Sequence, residues 1–261
     1  MEKDFEIIGT SKNGTNGCLK LDITQADEVF SILGEIKPDI VINAAALTDV
    51  DECERNSELA FKVNSEGAEN VAKACSSMGA RIIHISTDYV FDGELGMYAE
   101  TSPTSPIQEY GESKLLGERG VIRYSENDPT IIRTSGVFDS TGKNFFTWLT
   151  DSLSRDGEVS IIDDQIVSPT HVNYVSESII HLIKSSYSGL WNVASERPIS
   201  RIEFAKMICV HCDLEQGLVR SISMDDLEWI AKRPRDSSLD CGKLNCTQTG
   251  QTVQEMLERY C

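Results

Sequence analysis

Residues 38–87 read PDIVINAAALTDVDECERNSELAFKVNSEGAENVAKACSSMGARIIHIST, and this stretch decides the fold class. Asp39–Ala46 is a nearly unbroken apolar run that ends in small residues, as strands buried on both faces do. Ser57–Met78 carries Ala60, Val63, Ala68, Val71, Ala72 and Cys75 at helical spacing, which predicts a long amphipathic helix. Gly79 stops that helix, and Arg81–Ser86 (RIIHIS) is a second buried strand. Apolar strands alternating with a helix of this length belong to a parallel sheet covered on both faces.

Towards the N-terminus, Phe5–Gly9 and Leu19–Asp22 read as short strands. Gln25–Ile36 reads as a helix with Val29, Phe30, Leu33 and Ile36 on its apolar face, ended by Pro38. Towards the C-terminus come a Gly-, Pro- and Ser-rich loop (residues 92–108), a helix from Tyr110 and a strand over Thr130–Thr134. The character changes beyond about residue 140. A helix is expected around 144–154, a strand over Val159–Ile162, an extended segment Gln165–Thr170, and helices over Ser200–Cys212 and Val253–Arg259. These later elements can cover the carboxyl edge of the sheet, where open α/β folds bind their ligands.

The 261 residues are 40% hydrophobic and 25% charged, ordinary for a globular chain. A chain of this size buries its core without disulfides, so the eight cysteines read as free thiols. The one C-x-x-C, Cys209–Cys212, falls in an expected helix with no standard zinc spacing around it, and no metal site is expected. Lys and Arg total 24 against 42 Asp and Glu, a net charge of −18 that repels phosphate backbones and argues against a nucleic-acid partner. No run approaches the ~18 apolar residues of a membrane span. The start, Met1-Glu2-Lys3-Asp4, is charged and lacks a secretory signal's apolar segment, so a cytoplasmic location is expected.

Tyr110-Gly-Glu-Ser-Lys114 is the sharpest chemical feature. Four residues apart on a helix, the phenol and the ammonium share one face. A nearby ammonium favours the phenolate and is expected to lower the tyrosine's pKa from ~10, making a tunable proton donor for carbonyl reduction. Alone, such a spacing is common. Ser86-Thr87-Asp88-Tyr89-Val90-Phe91 strengthens it, because Thr87 ends a sheet strand where a hydroxyl can meet a substrate carbonyl. Asn43-Ala-Ala-Ala46 likewise ends a strand, and its small side chains allow a flat cofactor close to the backbone.

Together these segments resemble the extended short-chain dehydrogenase/reductases, and within them the dTDP-4-dehydrorhamnose reductase family. The resemblance is carried by PDIVINAAALTDVDECE (38–54), IIHISTDYVFDG (82–93), YGESKLLGE (110–118), IIRTSGVF (131–138), DDQIVSPT (163–170) and KRPRDSSLD (232–240). It implies an α/β fold: a Rossmann-like doubly wound parallel sheet, N-terminally incomplete, with a small C-terminal substrate-binding lobe. Residues 1–140, with 159–175 contributing, would form the dinucleotide-binding domain, and 141–261 mainly the lobe. The reaction implied is NADPH-dependent reduction of a 4-keto nucleotide sugar in deoxysugar biosynthesis. Tyr110 would donate the proton, Lys114 would bind the nicotinamide ribose and tune the tyrosine, and Thr87 would hold the ketone oxygen. Asp22 and Ile23 would lie along the adenine, Asn43, Ala44 and Ala45 along ribose and phosphates, and Asn64 behind the site. Thr48, Val50, Asp88, Val90 and Phe91 would face the sugar, with Gln165, Thr170 and Arg233 reaching the nucleotide or sugar from the lobe. Lys12 follows Gly9-Thr10-Ser11, a segment without an acid. NADP(H) is therefore favoured, with NAD(H) the alternative. A homodimer accords with the family.

The chain also departs from the family pattern. The family opens with a strand, a G-x-x-G-x-x-G turn and a helix, and this chain opens at the family's second strand. Gly14-Thr-Asn-Gly17 reads as a turn between two strands, not a phosphate loop. Weakened dinucleotide binding and exposed apolar sheet edges are the expected consequences. Gly136 stands where the family often has tryptophan, which leaves the sugar open. Two further readings share the same text: a non-catalytic subunit resembling the methionine adenosyltransferase regulatory subunit, and a nucleotide-sugar epimerase.

Overall fold

The computed structural model describes residues 5–261. The charged start, Met1–Asp4, lies outside the described residues, as does the side chain of Asp156. In chain order the first half comprises β1 (Thr10–Ser11), β2 (Leu19–Lys20), α1 (Ala26–Ile36), β3 (Ile40–Asn43), α2 (Val50–Arg55), α3 (Ser57–Phe61), α4 (Gly67–Met78), β4 (Arg81–Thr87), α5 (Glu109–Tyr124) and β5 (Thr130–Thr134). The second half comprises β6 (Val137–Phe138), α6 (Phe145–Asp156), β7 (Val159–Ile162), β8 (Ile166–Val167), β9 (Thr170–His171), α7 (Val172–Lys184), β10 (Gly189–Asn192), β11 (Ile199–Ser200), α8 (Arg201–His211), β12 (Val219–Ile222), α9 (Gly242–Asn245) and α10 (Val253–Tyr260).

Four parallel strands in the order β10-β5-β4-β3 make the main sheet. Alternation of side chains gives it two buried faces. Ile82 and Ile131 point into a core with Val29 and Leu33 of α1, Val71 and Ala72 of α4 and Val121 of α5. Ile83 and Ile132, one residue on, point the other way, into a core with Ile179 and Leu182 of α7 that continues through Leu149, Phe204, Ile208 and Leu257. The second core runs without a break from the sheet into the later helices.

The expected boundary at residue 140 does not follow the sheet. Its fourth strand, β10, comes from residues 189–192 and pairs with β5, while α7 covers its face. The segment expected to return, 159–175, does otherwise: β7 pairs with β12, and β9 with β6. β10 holds only Leu190 and Trp191 as large apolar residues, too few for periodicity to reveal.

The N-terminal edge also differs. Phe5–Gly9 is irregular, and the strand lies one step on, at Thr10–Ser11, paired with β2 in a separate two-stranded sheet. Pairing needs a neighbour, and β2 offers one only from Gly9, whose carbonyl accepts from the Leu19 N–H at 2.9 Å. Gly14 and Gly17, both at positive φ, turn the chain between β1 and β2. Among the described residues no strand pairs the outer edge of β3. Ile42 there is 48% exposed. No helix among the described residues is long and apolar enough to cross a membrane.

Candidate active site

Tyr110 lies in the first turn of α5 and Lys114 follows one turn later, as the spacing requires. The start of this helix presses against the turn that follows β4: a Cβ at Gly111 would overlap the Tyr89 carbonyl oxygen. Only glycine permits that approach, and it sets Tyr110 beside the end of β4. The Thr87 hydroxyl reaches the Tyr110 phenol there, and the Tyr89 ring meets the Tyr110 ring edge-on at 5.9 Å.

Burial pushes the Tyr110 phenol well above its ordinary range. Thr87 offsets this, while Asp88, Cys53 and Tyr89 add to it. The expected lowering by Lys114 is not what the structure shows. The Lys114 ammonium donates to the Ile85 carbonyl at 2.6 Å, turned to the strand instead of the phenol. Burial brings its pKa down to about 8, against a partial rise from Glu118. A neutral phenol is the form that donates a proton, so the site holds the acid that a reduction consumes.

Behind the pair lies a fixed wall. Glu118, one turn beyond Lys114, is buried and takes a bidentate hydrogen bond from Arg133 of β5 at 2.9 and 2.7 Å, with the Ser86 hydroxyl at 2.5 Å. Asn64 accepts from the Leu47 N–H at 2.8 Å and donates to the Leu47 carbonyl and the Ser113 hydroxyl, both at 3.0 Å. It thus ties the loop after β3 to α5. The helix expected as one piece over Ser57–Met78 is interrupted by a π-helical turn, Lys62–Glu66, with Asn64 at its centre. Such turns redirect a side chain and often mark functional sites.

Asp88 is buried, and its carboxylate accepts from Thr87 at 3.0 Å, Ser135 at 2.7 Å and Ser237 at 2.5 Å. It therefore gathers hydroxyls from three parts of the chain. Burial raises its pKa and those three hydroxyls oppose the rise. Asn43 bonds His84 at 3.2 Å and the Ala45 N–H at 3.2 Å, while Ala44, Ala45 and Thr48 are exposed and Val50 half-buried at the mouth.

Other expected residues sit elsewhere. Val90 and Phe91 do not face the site: the 3-10 turn Asp88–Val90 swings them inward, wholly buried with Leu115 and Leu239, and Phe91 stacks on Tyr98 at 4.2 Å. Thr170 is likewise buried, donating to the Ser168 carbonyl at 2.8 Å. Ile23 packs in the core beneath Gly67, so only its backbone could lie along a ligand. Lys12, 66% exposed, lies 3.6 Å from Asp22 on the β1–β2 ribbon. Gln165 is buried and donates to the Pro234 carbonyl at 3.1 Å. Arg233 pairs with Asp51 of α2 at 2.9 Å and lies over the Trp229 ring. One residue not singled out from sequence, Tyr89, stands against the Tyr110 ring. Tyr89 lies inside the quoted STDYVF motif, a signal that could have found it.

A parallel sheet with a tyrosine–lysine pair one helical turn apart at the carboxyl end of its strands defines a short-chain dehydrogenase/reductase fold and site. The family model described as RmlD substrate binding domain matches residues 1–260, and the chain belongs to the dTDP-4-dehydrorhamnose reductase family. A probable low-salt glycan biosynthesis reductase, Agl14, of Haloferax volcanii is 38% identical over 261 residues, covering 95% of this chain and 87% of that one. The dTDP-4-dehydrorhamnose reductase of Mycobacterium tuberculosis H37Rv is 36% identical over 208 residues, 77% and 68% of the two chains. The solved Bacillus anthracis dTDP-4-dehydrorhamnose reductase in complex with NADP is 36% identical, superposes with a TM-score of 0.88, and is covered over 86% of its length by 92% of this chain.

Proposed function

We propose that this protein reduces a 4-keto nucleotide sugar, as dTDP-4-dehydrorhamnose reductases do, with NADP(H) as cofactor, for deoxysugar and polysaccharide biosynthesis. The observation that carries this reading is the convergence of Thr87, Tyr110 and Lys114 at the carboxyl end of β4, with the half-buried phenol pushed above its ordinary range. NADPH supplies the hydride when bound. The residues present fit parts of it: Ala44 and Ala45 are small and exposed after β3, where ribose and phosphates would pass, and Lys114 stands on α5, where the nicotinamide ribose would lie. Among the described residues there is no glycine-rich strand–turn–helix for its diphosphate.

The Thr87 hydroxyl, which gives its one proton to Asp88 in the free chain, turns it to the ketone oxygen beside the Tyr110 hydroxyl when substrate is bound. Tyr110 gives its proton to that oxygen as negative charge develops there. Lys114, held one turn along α5 by its hydrogen bond to the Ile85 carbonyl, would bind the nicotinamide ribose. Asp88 orients the Thr87 hydroxyl, and Asn64 keeps the loop after β3 at a fixed height above the pair.

Oxidation of NADPH monitored in the presence of dTDP-4-dehydrorhamnose tests this reading. Turnover that requires both reactants supports it. A folded chain that binds NADPH and turns over no 4-keto nucleotide sugar overturns it.

A further inference from the structure

His84 lies in β4 between Ile83 and Ile85 and is 0% exposed, and its partner in the parallel ladder is Asn43, the last residue of β3. The Asn43 carboxamide sits between two groups, and the order of donors along it is fixed. The Ala45 N–H can only donate, so the atom that meets it at 3.2 Å is the Asn43 carbonyl oxygen. The amide nitrogen of Asn43 therefore turns to His84 and donates to Nδ1 at 3.2 Å. Since Nδ1 accepts, the ring is neutral and its proton is on Nε2. Burial, and after it the Lys114 charge, pulls the His84 pKa well below its ordinary 6.5, which agrees with a neutral ring.

Stability alone gives no reason for a histidine here. Its Nε2 is buried without a hydrogen-bond partner among the described residues. That is a cost which an isoleucine, the residue on either side, does not carry. What the histidine does hold is the start of a loop. β3 ends at Asn43, and no strand among the described residues pairs its outer edge, so β4 alone steadies that end. Ala44 and Ala45 follow, both exposed. The far end of the loop, Leu47, is held by Asn64 through its N–H at 2.8 Å and its carbonyl at 3.0 Å. An asparagine side chain thus clamps each end, and the one at Asn43 is itself held by His84. Without an acceptor at position 84 the buried Asn43 amide nitrogen has no partner, and the carboxamide is free to turn away from the Ala45 N–H.

We propose that His84 is a positioning residue for the cofactor: its Nδ1 fixes the Asn43 carboxamide, which holds the Ala44–Ala45 shelf where the ribose and phosphates of NADP(H) lie. This role rests on the NADP(H) reading above and adds to it a residue that touches no ligand and acts through Asn43.

Calorimetry with NADPH on the full chain, together with nitrogen-15 spectra of its four histidine rings, tests this without needing turnover. An asparagine carries its carbonyl oxygen where Nδ1 sits, and a glutamine carries it where Nε2 sits. His84→Asn is therefore expected to keep wild-type affinity for NADPH. His84→Gln and His84→Leu should lose about 3- to 10-fold, the range for one neutral hydrogen bond. A packing role would reverse this order, because glutamine and leucine are closer to histidine in volume than asparagine is. The His84 signals are those missing from the His84→Asn spectrum, and in wild type they should show the proton on Nε2. In Asn43→Asp the carboxylate can only accept, so the proton should appear on Nδ1. A wild-type proton on Nδ1, or equal NADPH affinity in wild type, His84→Gln and His84→Leu, overturns the role of His84 while leaving the NADP(H) reading intact. A folded wild type that binds no NADPH overturns both. If His84→Leu is unstable, His84→Asn against His84→Gln decides.

Discussion

The wall around Tyr110 and the β1–β2 ribbon both carry residues expected at one site, and they are built to different standards. Around Tyr110, Asn64, Ser113, Glu118 and Arg133 are buried and cross-linked by hydrogen bonds from three elements. On the ribbon, two strands of two residues each hold Lys12 and Asp22 at the surface, joined by one long ion pair. Proton transfer needs atoms fixed to within fractions of an ångström, which requires a packed second layer. Recognition of a charged cofactor edge tolerates a looser mount, and an element with few buried contacts opens at low cost.

The sharpest way to break this comparison is Tyr110→Phe. Loss of the proton donor should lower kcat by about 10²- to 10⁴-fold, with the urea midpoint nearly unmoved. Retained turnover would remove Tyr110 from its role. Next in size is Glu118→Gln, which keeps the shape but leaves the Arg133 guanidinium buried without its anion. A cost of about 3–5 kcal/mol is expected from breaking one side of a buried pair. Denaturant unfolding that shows under about 1 kcal/mol would mean the wall is not the rigid part.

A smaller effect concerns pH. Burial holds Lys114 at about 8, below its ordinary 10.5. Between those values the unfolded chain binds the proton that the folded chain has released, so this residue makes stability rise with pH from about 8 to 10.5. Lys114→Met should flatten that rise in Tm measured from pH 7.5 to 10. An equal rise in both proteins would assign the slope to another group. Smallest of all is Lys12→Ala. The pair with Asp22 is exposed, so Tm should hold within error. If Lys12 meets the extra phosphate, KM for NADPH should rise severalfold while KM for NADH does not. A change shared by both cofactors would place Lys12 outside the phosphate site.

Much of the fold was legible because its signals are local. The apolar runs Asp39–Ala46 and Arg81–Ser86 and the helical spacing of Ser57–Met78 are patterns that backbone geometry imposes over a few residues, and the structure forms its central strands and helices there. The Tyr110–Lys114 spacing needs only one helical turn to bring both to one face. Phe5–Gly9 misled because an apolar run becomes a strand only when a neighbour accepts its hydrogen bonds. Val90 and Phe91 misled because a motif gives residue order but not the direction in which a 3-10 turn sends each side chain.

The sequence by itself therefore determined the α/β class, the central strands and helices, and the tyrosine–lysine pair, since each depends on spacing within one element. Only the tertiary structure decided that β10 completes the sheet, that Asn64 sits on a π-helical turn and ties the loop after β3 to α5, and that Glu118 and Arg133 pair one turn beyond Lys114. Those arrangements join residues far apart along the chain, and their geometry is set by how whole elements pack against one another, which no local pattern records.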